Sequence, residues 1–253
     1  MLLTIDLNCD LGEGFGRYEL GEDEQLLALI SSANIACGFH AGDPVRMRLT
    51  VRRCIERGVA VGAHPGLPDL QGFGRREMAV SPQEAFDMVL YQIGALDAFV
   101  RAEGGVLHHV KPHGALYNMA ARDMRLAEAI TEAVYRFRPD LILYGLSGSR
   151  LIEAAKLRGL PYAEEAFADR TYRADGSLTS RSEPGAVLRT AEAAVRQALA
   201  IIRSGTVSTP SGEAVSLHAD TLCVHGDGIH AVELLRQLRD ALVEAGIRGK
   251  APG

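Results

Sequence analysis

The sequence predicts an α/β protein whose residues 1–253 form one domain, a (β/α)7 TIM-like barrel, on three observations. The chain has 253 residues, close to the roughly 250 residues of one such barrel. Short aliphatic runs alternate with longer helical patterns in about seven units, which is typical of parallel strands joined by helices. Several strands are polar on one face, unlike strands that helices cover on both faces. In a closed barrel, that polar face would line the interior. The alternative is an open doubly wound sheet, whose first and last strands do not pair.

The predicted strands are short runs of aliphatic and β-branched residues, at 2–9, 33–39, 59–63, 106–111, 141–144, 162–167 and 221–225. The predicted helices have apolar residues at helical spacing, at 23–31, 44–57, 82–102, 124–138, 149–158, 187–203 and 229–245. Three of these helices follow N-cap signals, at Asp43, Ser81 and Gly228. Residues 206–216 predict a small hairpin, and the tail from Gly249 is expected to fray.

Composition and charge argue against several classes of protein. With 47% hydrophobic and 23% charged residues, the chain is not disordered, collagen-like or a coiled coil. Its 27 Lys and Arg residues against 32 Asp and Glu give a net charge of −5 with no basic stripe, so we expect no nucleic-acid partner. Four scattered cysteines without a C-x-x-C motif favour a reducing compartment. We expect no signal peptide and no membrane span, and therefore a cytoplasmic protein.

Polar residues recur on one face of the predicted strands, near their carboxyl ends. In the first strand, Asp6, Asn8 and Asp10 alternate with apolar residues and so share a face. Ionisable groups at five strand ends give the candidate catalytic residues Asp10, His40, His64, Lys111, His113, His225 and Asp227. A lone histidine at a strand end is more often structural, but a barrel brings these strand ends to one mouth. This convergence favours a catalytic function.

The remaining ionisable residues carry weaker signals. His108 lies on the opposite face of its strand, and His218 and His230 lack a strand-end position, so we interpret all three as structural. Charged residues surround the exit of the sixth strand, where the face is ambiguous, and we discount Glu164, Glu165, Asp169, Arg170 and Arg181. The glycine-rich segment 72–76 could place Arg75 and Arg76 over an anion, or could be a solvated turn.

Common cofactor motifs are missing from the sequence. It has no G-x-x-x-x-G-K-[ST] segment, and the glycines at 12–16 lack the dinucleotide spacing, so neither a P-loop nor a nicotinamide site is predicted. It also has no H-E-x-x-H motif and no paired C-x-x-C. Asp10, His40 and His64 could still form a three-ligand divalent metal site, and the sequence leaves open whether a metal is bound.

Five polar segments are similar to those of a known family. They are DLNCDLGEGFG at 6–16, ANIACGFHAGDP at 33–44, GAHPGLPDLQGFGRR at 62–76, VKPHGALYN at 110–118 and CVHGD at 223–227. In this order, and over nearly the whole chain, they resemble the LamB/YcsF family, known as the A subunit of 5-oxoprolinase. The resemblance implies a seven-stranded barrel related to the glycoside hydrolase/deacetylase superfamily. It also implies a complex with the B and C subunits that converts 5-oxo-L-proline (pyroglutamate) to L-glutamate with ATP hydrolysis.

That reaction suggests roles for the candidate residues. A lactam carbonyl resists water because of amide resonance, and phosphate transfer from ATP, expected to act with Mg²⁺, would activate it. We expect Asp10, with His40 or His64, to position and deprotonate the water. Charge on the oxygen or phosphate would be stabilised by Lys111 and His113. The remaining pair, His225 and Asp227, would orient or protonate the departing nitrogen. How the subunits divide the ATP chemistry stays open.

Two other functions compete with this interpretation. The cluster of Asp10, His40 and His64 could belong to a metal-dependent amidase or deacetylase that acts on a sugar amide without ATP. A polar barrel mouth is also compatible with a non-catalytic subunit that binds a small acid and presents it to a partner enzyme.

Overall fold

The first strand of the chain pairs with a strand near the C-terminal end, and this pairing closes a barrel. The computed structural model describes residues 3–181, 183–188, 190–224 and 231–253. Its strands are β1 (Leu3–Leu11), β2 (Ser32–Ala36), β3 (Ala60–His64), β4 (Leu107–Val110), β5 (Ile142–Leu146), β6 (Tyr162–Phe167), β7 (Thr206–Ser208), β8 (Ala214–Ser216), β9 (Thr221–Cys223) and β10 (Ile247–Gly249). Seven of them, β1 to β6 and β9, form the parallel barrel.

The register shows how the barrel closes. Asp6 of β1 lies opposite Thr221 of β9, and Thr221 in turn lies opposite Glu165 of β6. The open sheet is thereby excluded, and the predicted seven-stranded β/α barrel is confirmed. The predicted hairpin is also confirmed, because β7 and β8 pair antiparallel outside the barrel.

Helices connect the strands and cover the barrel. They are α1 (Asp23–Leu26), α2 (Pro44–Arg57), α3 (Pro82–Ala102), α4 (Gly114–Arg122), α5 (Met124–Phe137), α6 (Arg150–Arg158), α7 (Ala191–Ser204) and α8 (Ala231–Glu244). Two predicted N-caps are confirmed: Asp43 accepts the amides of Val45 and Arg46, and Ser81 forms a capping box with Glu84. The third, at Gly228, lies outside the described residues. No helix in the described ranges is long and apolar enough to cross a bilayer.

Alternation along β1 separates the two sides of the barrel wall. Ile5, Leu7 and Cys9 belong to the apolar core between strands and helices, whereas the equally buried Asp6 and Asn8 face the barrel interior. The hydrophobic core is thus a shell around the barrel, and the interior is left for polar side chains.

The structure corrects some predicted boundaries. The tail is not frayed, because β10 pairs with the start of β1 and the Lys250 amide donates to the Ile5 carbonyl. Helix α4 was not predicted, since it begins at Gly114, two residues after Pro112, and spans only 9 residues. Helix α1 is shorter than the predicted 23–31. Strands and helices this short leave too few residues for a periodic pattern.

We expect Gly62→Ala to lower the free energy of unfolding by about 1–3 kcal/mol, because a methyl group there would clash with the His109 ring of the neighbouring strand β4. Gly94 in α3 is the matched control, since a methyl group there meets nothing within 4 Å. Gly94→Ala is expected to raise stability by about 0.4–1 kcal/mol. Urea denaturation measures both variants. Equal effects of the two substitutions would contradict a packed barrel interior at Gly62.

Candidate active site

A cavity of about 640 Å³ opens at the carboxyl ends of the strands, where barrel enzymes bind their substrates. Four of the sequence-predicted residues line it: Asp10, His64, Lys111 and His113. His40 is fully buried next to His113, with the two rings stacked 3.7 Å apart. His225 and Asp227 lie outside the described residues. The fold therefore brings five of the seven candidates together, and their catalytic roles stay predictions.

Lys111, just after β4, lies at the centre of the polar interior. Its ammonium is 2.8 Å from Glu165 Oε1, 3.2 Å from Asp10 Oδ1 and 3.1 Å from the side-chain oxygen of Asn8. Burial alone would lower the pKa of Lys111, but the charges of Asp10 and Glu165 outweigh it and raise the pKa well above the usual value. Lys111 is therefore a fixed positive charge at the floor of the cavity.

Two asparagines hold the carboxylates around this charge. The Asn8 amide donates to Glu165 Oε1 (2.9 Å) and to Thr221 Oγ1 (2.7 Å). The Asn34 amide donates to the Asn8 oxygen (2.7 Å) and to Asp10 Oδ1 (2.9 Å). Each of the three oxygen acceptors of Lys111 thus has a second donor from another strand, which fixes its position.

The histidines are fixed by backbone carbonyls. His64 Nδ1 lies 2.7 Å from the Lys111 carbonyl, and His113 Nε2 lies 2.8 Å from the Phe73 carbonyl. Because a carbonyl only accepts, these two nitrogens carry the protons. Phe73 has a φ of 55°, a left-handed conformation that costs free energy for a bulky side chain. The strained residue aims its carbonyl at His113.

Burial favours the neutral form of two imidazoles in this group, those of His113 and His40. Burial lowers the pKa of His113 well below its usual value, and the neighbouring His64 lowers it further. Burial also lowers the pKa of His40, with His113 and His64 adding to the effect. The carboxylate of Asp10 has the opposite effect, because its charge raises the pKa of both His40 and His113. Neutral rings of fixed orientation can accept a proton or hold a cation.

Guanidinium groups line the cavity, among them those of Arg75, Arg170, Arg173 and Arg181. Arg170 is buried and donates to the Ala186 and Thr179 carbonyls, and burial lowers its pKa to about 10. Arg76, which the sequence placed beside Arg75, is instead paired with Asp69 outside the cavity. Six cationic side chains line the cavity against three acidic ones, and this excess favours an anionic ligand.

Sequence reasoning missed or discounted three residues of this interior. Glu165 was discounted, because Glu164 and Glu165 put a carboxylate on each face of β6. Tyr117 of the unpredicted α4 donates to Glu165 Oε2 at 2.7 Å. Glu13 lies in the glycine-rich loop three positions after Asp10 and reaches the histidines.

The histidines interpreted as structural lie elsewhere. His108 is half-buried, with its Nε2 2.8 Å from the Pro252 carbonyl. His218 is exposed and pairs with Asp220. His230 lies outside the described residues.

The fold and cavity define a β/α-barrel protein with an enzyme-like pocket at the carboxyl ends of its strands. The LamB/YcsF family matches residues 5–252, and the chain belongs to this family. It is 60% identical to the A subunit of 5-oxoprolinase from Tolumonas auensis, over 99% of this chain and 100% of that protein. It is 57% identical to the protein of the same name from Bacillus subtilis, over 97% and 96% of the two chains.

Two solved structures share the fold. A lactam utilization protein from Thermus thermophilus superposes with a TM-score of 0.93 at 50% identity, covering 99% of this chain and 100% of that one. A putative cellobiose-phosphate cleavage protein from Enterococcus faecalis gives a TM-score of 0.59 at 14% identity, covering 98% and 97%. The second likeness concerns the barrel fold alone.

We expect Lys111→Met to lower the free energy of unfolding by about 3–5 kcal/mol, because the Glu165 and Asp10 carboxylates would stay buried without their cation. The double variant Lys111→Met/Glu165→Gln removes one of those charges and is expected to recover part of the loss. Urea denaturation of both variants gives the comparison. A double variant less stable than Lys111→Met would contradict the pairing.

Proposed function

We propose that this chain is the A subunit of an ATP-dependent 5-oxoprolinase, which hydrolyses 5-oxo-L-proline to L-glutamate. The observation that carries the proposal is the 60% identity to a relative of that name over its full length. The cavity supports it, because a buried ammonium and several guanidinium groups suit a small carboxylic acid. The metal-dependent amidase that acts without ATP is the less favoured alternative.

The chemistry explains why ATP is needed. Amide resonance and a poor nitrogen leaving group make the lactam carbonyl unreactive towards water. Transfer of the γ-phosphoryl group of ATP to the lactam oxygen would activate the carbon. Attack of one water, cleavage of the ring C–N bond and hydrolytic release of phosphate by a second water then give glutamate. The balance is one lactam, one ATP and two waters consumed, with glutamate, ADP and phosphate formed.

Positions in the cavity suggest how the residues share this work. The Lys111 ammonium would stabilise negative charge on the lactam oxygen or on its phosphoryl group. Asp10 is the proposed base for the attacking water, and His64 lines the cavity beside it, with Nε2 3.3 Å from Asp10 Oδ2. His113 lines the same wall. Because its Nε2 proton is donated to the Phe73 carbonyl, it would stabilise negative charge only when its Nδ1 is also protonated.

The role of His40 differs from the expected one. His40 is fully buried and does not line the cavity, so we assign it to positioning His113 rather than to contact with water. The proposed orientation or protonation of the departing nitrogen by His225 and Asp227 rests on the sequence alone.

We propose ATP, with Mg²⁺, as the co-substrate and the B and C subunits of 5-oxoprolinase as partners. The sequence lacks a P-loop, so the partners would supply part of the nucleotide chemistry. The word "subunit" in the names of the relatives supports a multi-subunit enzyme.

Reconstitution tests the function directly. We expect glutamate release from 5-oxoproline only when this chain, both partner subunits and ATP are all present, with ADP formed in equal amount. Each component is omitted in turn as a control. Turnover by the partners without this chain would contradict the proposal, and ATP-independent release of glutamate by this chain alone would favour the amidase.

We expect Asp10→Asn to reduce turnover of the assembled enzyme at least about a hundredfold, because the amide cannot accept the proton of the water. Asp43→Asn is the matched control, since asparagine also caps the N-terminus of α2; its activity should stay within about twofold of wild type. Circular dichroism confirms that both variants fold. If folded Asp10→Asn keeps its activity within a few fold, Asp10 is not the base, and the substrate-presenting role gains support.

A further inference from the structure

The rings of His64 and His113 face each other through nitrogens that can each accept a hydrogen bond. His64 Nδ1 and His113 Nε2 donate to backbone carbonyls. The neutral tautomers that this leaves have their lone pairs on His64 Nε2 and His113 Nδ1. These two atoms lie only 2.9 Å apart. Asp10 Oδ2, another acceptor, lies 3.3 Å from His64 Nε2. Acceptors this close repel one another unless a cation lies among them.

A third histidine adds an unsatisfied buried group. His40 is fully buried, and neither of its ring nitrogens has a hydrogen-bond partner. Burying an imidazole without a partner costs free energy that a ligand would recover. His40 Nε2 lies 3.4 Å from Glu13 Oε1, so it points towards the same group of atoms.

The ligand atoms have the spacing of a coordination sphere. Glu13, His40, His64 and His113 each offer one atom, and these four atoms lie within 4.8 Å of one another. Donors about 2.0–2.1 Å from a tetrahedral or octahedral ion lie roughly 2.8–3.4 Å apart from their neighbours. The observed separations of 2.9 Å for His64 and His113, 3.4 Å for His40 and Glu13, and 3.7 Å for His113 and Glu13 are close to this range.

We propose that Glu13, His40, His64 and His113 bind one divalent transition-metal ion, with Zn²⁺ as the representative. Three imidazoles and one carboxylate favour zinc and its first-row neighbours over Mg²⁺ and Ca²⁺, which prefer oxygen ligands. The carbonyls that fix His64 and His113 have the role of outer-shell partners, since a metal-binding histidine almost always donates its other N–H to such a group.

The site differs from the three-ligand set that the sequence suggested. Glu13 and His113 join His40 and His64, whereas Asp10 contacts Lys111 and Asn34 through one oxygen and faces His64 with the other. An ion can enter through the cavity, because His64 and His113 line its wall. The proposal does not depend on the 5-oxoprolinase function, since the binding atoms belong to this chain alone.

Metal binding is measured on the full-length chain without partners or substrate. The protein is purified without a metal-affinity step, stripped with a chelator, mixed with Zn²⁺ and gel-filtered before elemental analysis. We expect one Zn²⁺ per chain, a higher midpoint of thermal unfolding with Zn²⁺ than without it, and no such change with Mg²⁺. Less than about a tenth of an equivalent bound to the wild-type chain would overturn the proposal.

Variants locate the site. We expect His40→Gln and His113→Gln each to weaken Zn²⁺ binding at least about tenfold in calorimetric titration. The matched control is His218→Gln, an exposed histidine paired with Asp220, which should bind as the wild-type chain does. Unchanged affinity in the first two variants would overturn the assignment. If those variants fail to fold, the stoichiometry and thermal shift of the wild-type chain decide between a bound metal and a proton shared by the histidines.

Discussion

The buried ammonium of Lys111 is the constraint on which the rest of the interior depends. Moving a charge out of water costs several kcal/mol unless other groups replace the lost hydration. Here Asp10, Glu165 and Asn8 replace it, and they come from the first and sixth strands of the barrel. Because those strands meet the lysine only when the sheet closes, the charge and the fold are mutually dependent. The same closure leaves a positive group at the floor of a cavity that opens to solvent.

The barrel interior has two polar layers with different tasks. Nearer the amino ends of the strands, Asp6 accepts hydrogen bonds from hydroxyl groups of Ser32, Tyr144 and Thr221, which joins four strands. Burial raises the pKa of Asp6, and the hydrogen bonds from the surrounding hydroxyl groups act in the opposite direction by favouring the carboxylate. Nearer the carboxyl ends, the layer around Lys111 faces the cavity. A rigid lower layer thus supports an upper layer that can bind a ligand.

Much of this architecture can be predicted from the sequence, because alternation along a strand is a local signal. The polar face of β1 predicted a closed sheet, and Asp10, His64, Lys111 and His113 were correctly expected at one mouth. Glu165 could not be assigned, since polar residues on both faces of β6 hide the alternation. Contacts between distant loops leave no local pattern, and the approach of Glu13 to three histidines is such a contact. The pairing of β10 with β1 was not predicted either, because it too joins residues that are distant in the sequence.

Titration of Lys111 tests most directly whether its ammonium is a fixed positive charge beneath the cavity. Selective ¹³C labelling of lysine, with the Cε resonance of Lys111 assigned by comparison with Lys111→Met, allows its titration to be followed by NMR. Pairing with Asp10 and Glu165 predicts a protonated amine throughout the range in which the protein stays folded, with any transition above the ordinary lysine value of 10.5. A transition in the neutral range would mean that burial outweighs the two carboxylates and that no fixed positive charge lies beneath the cavity.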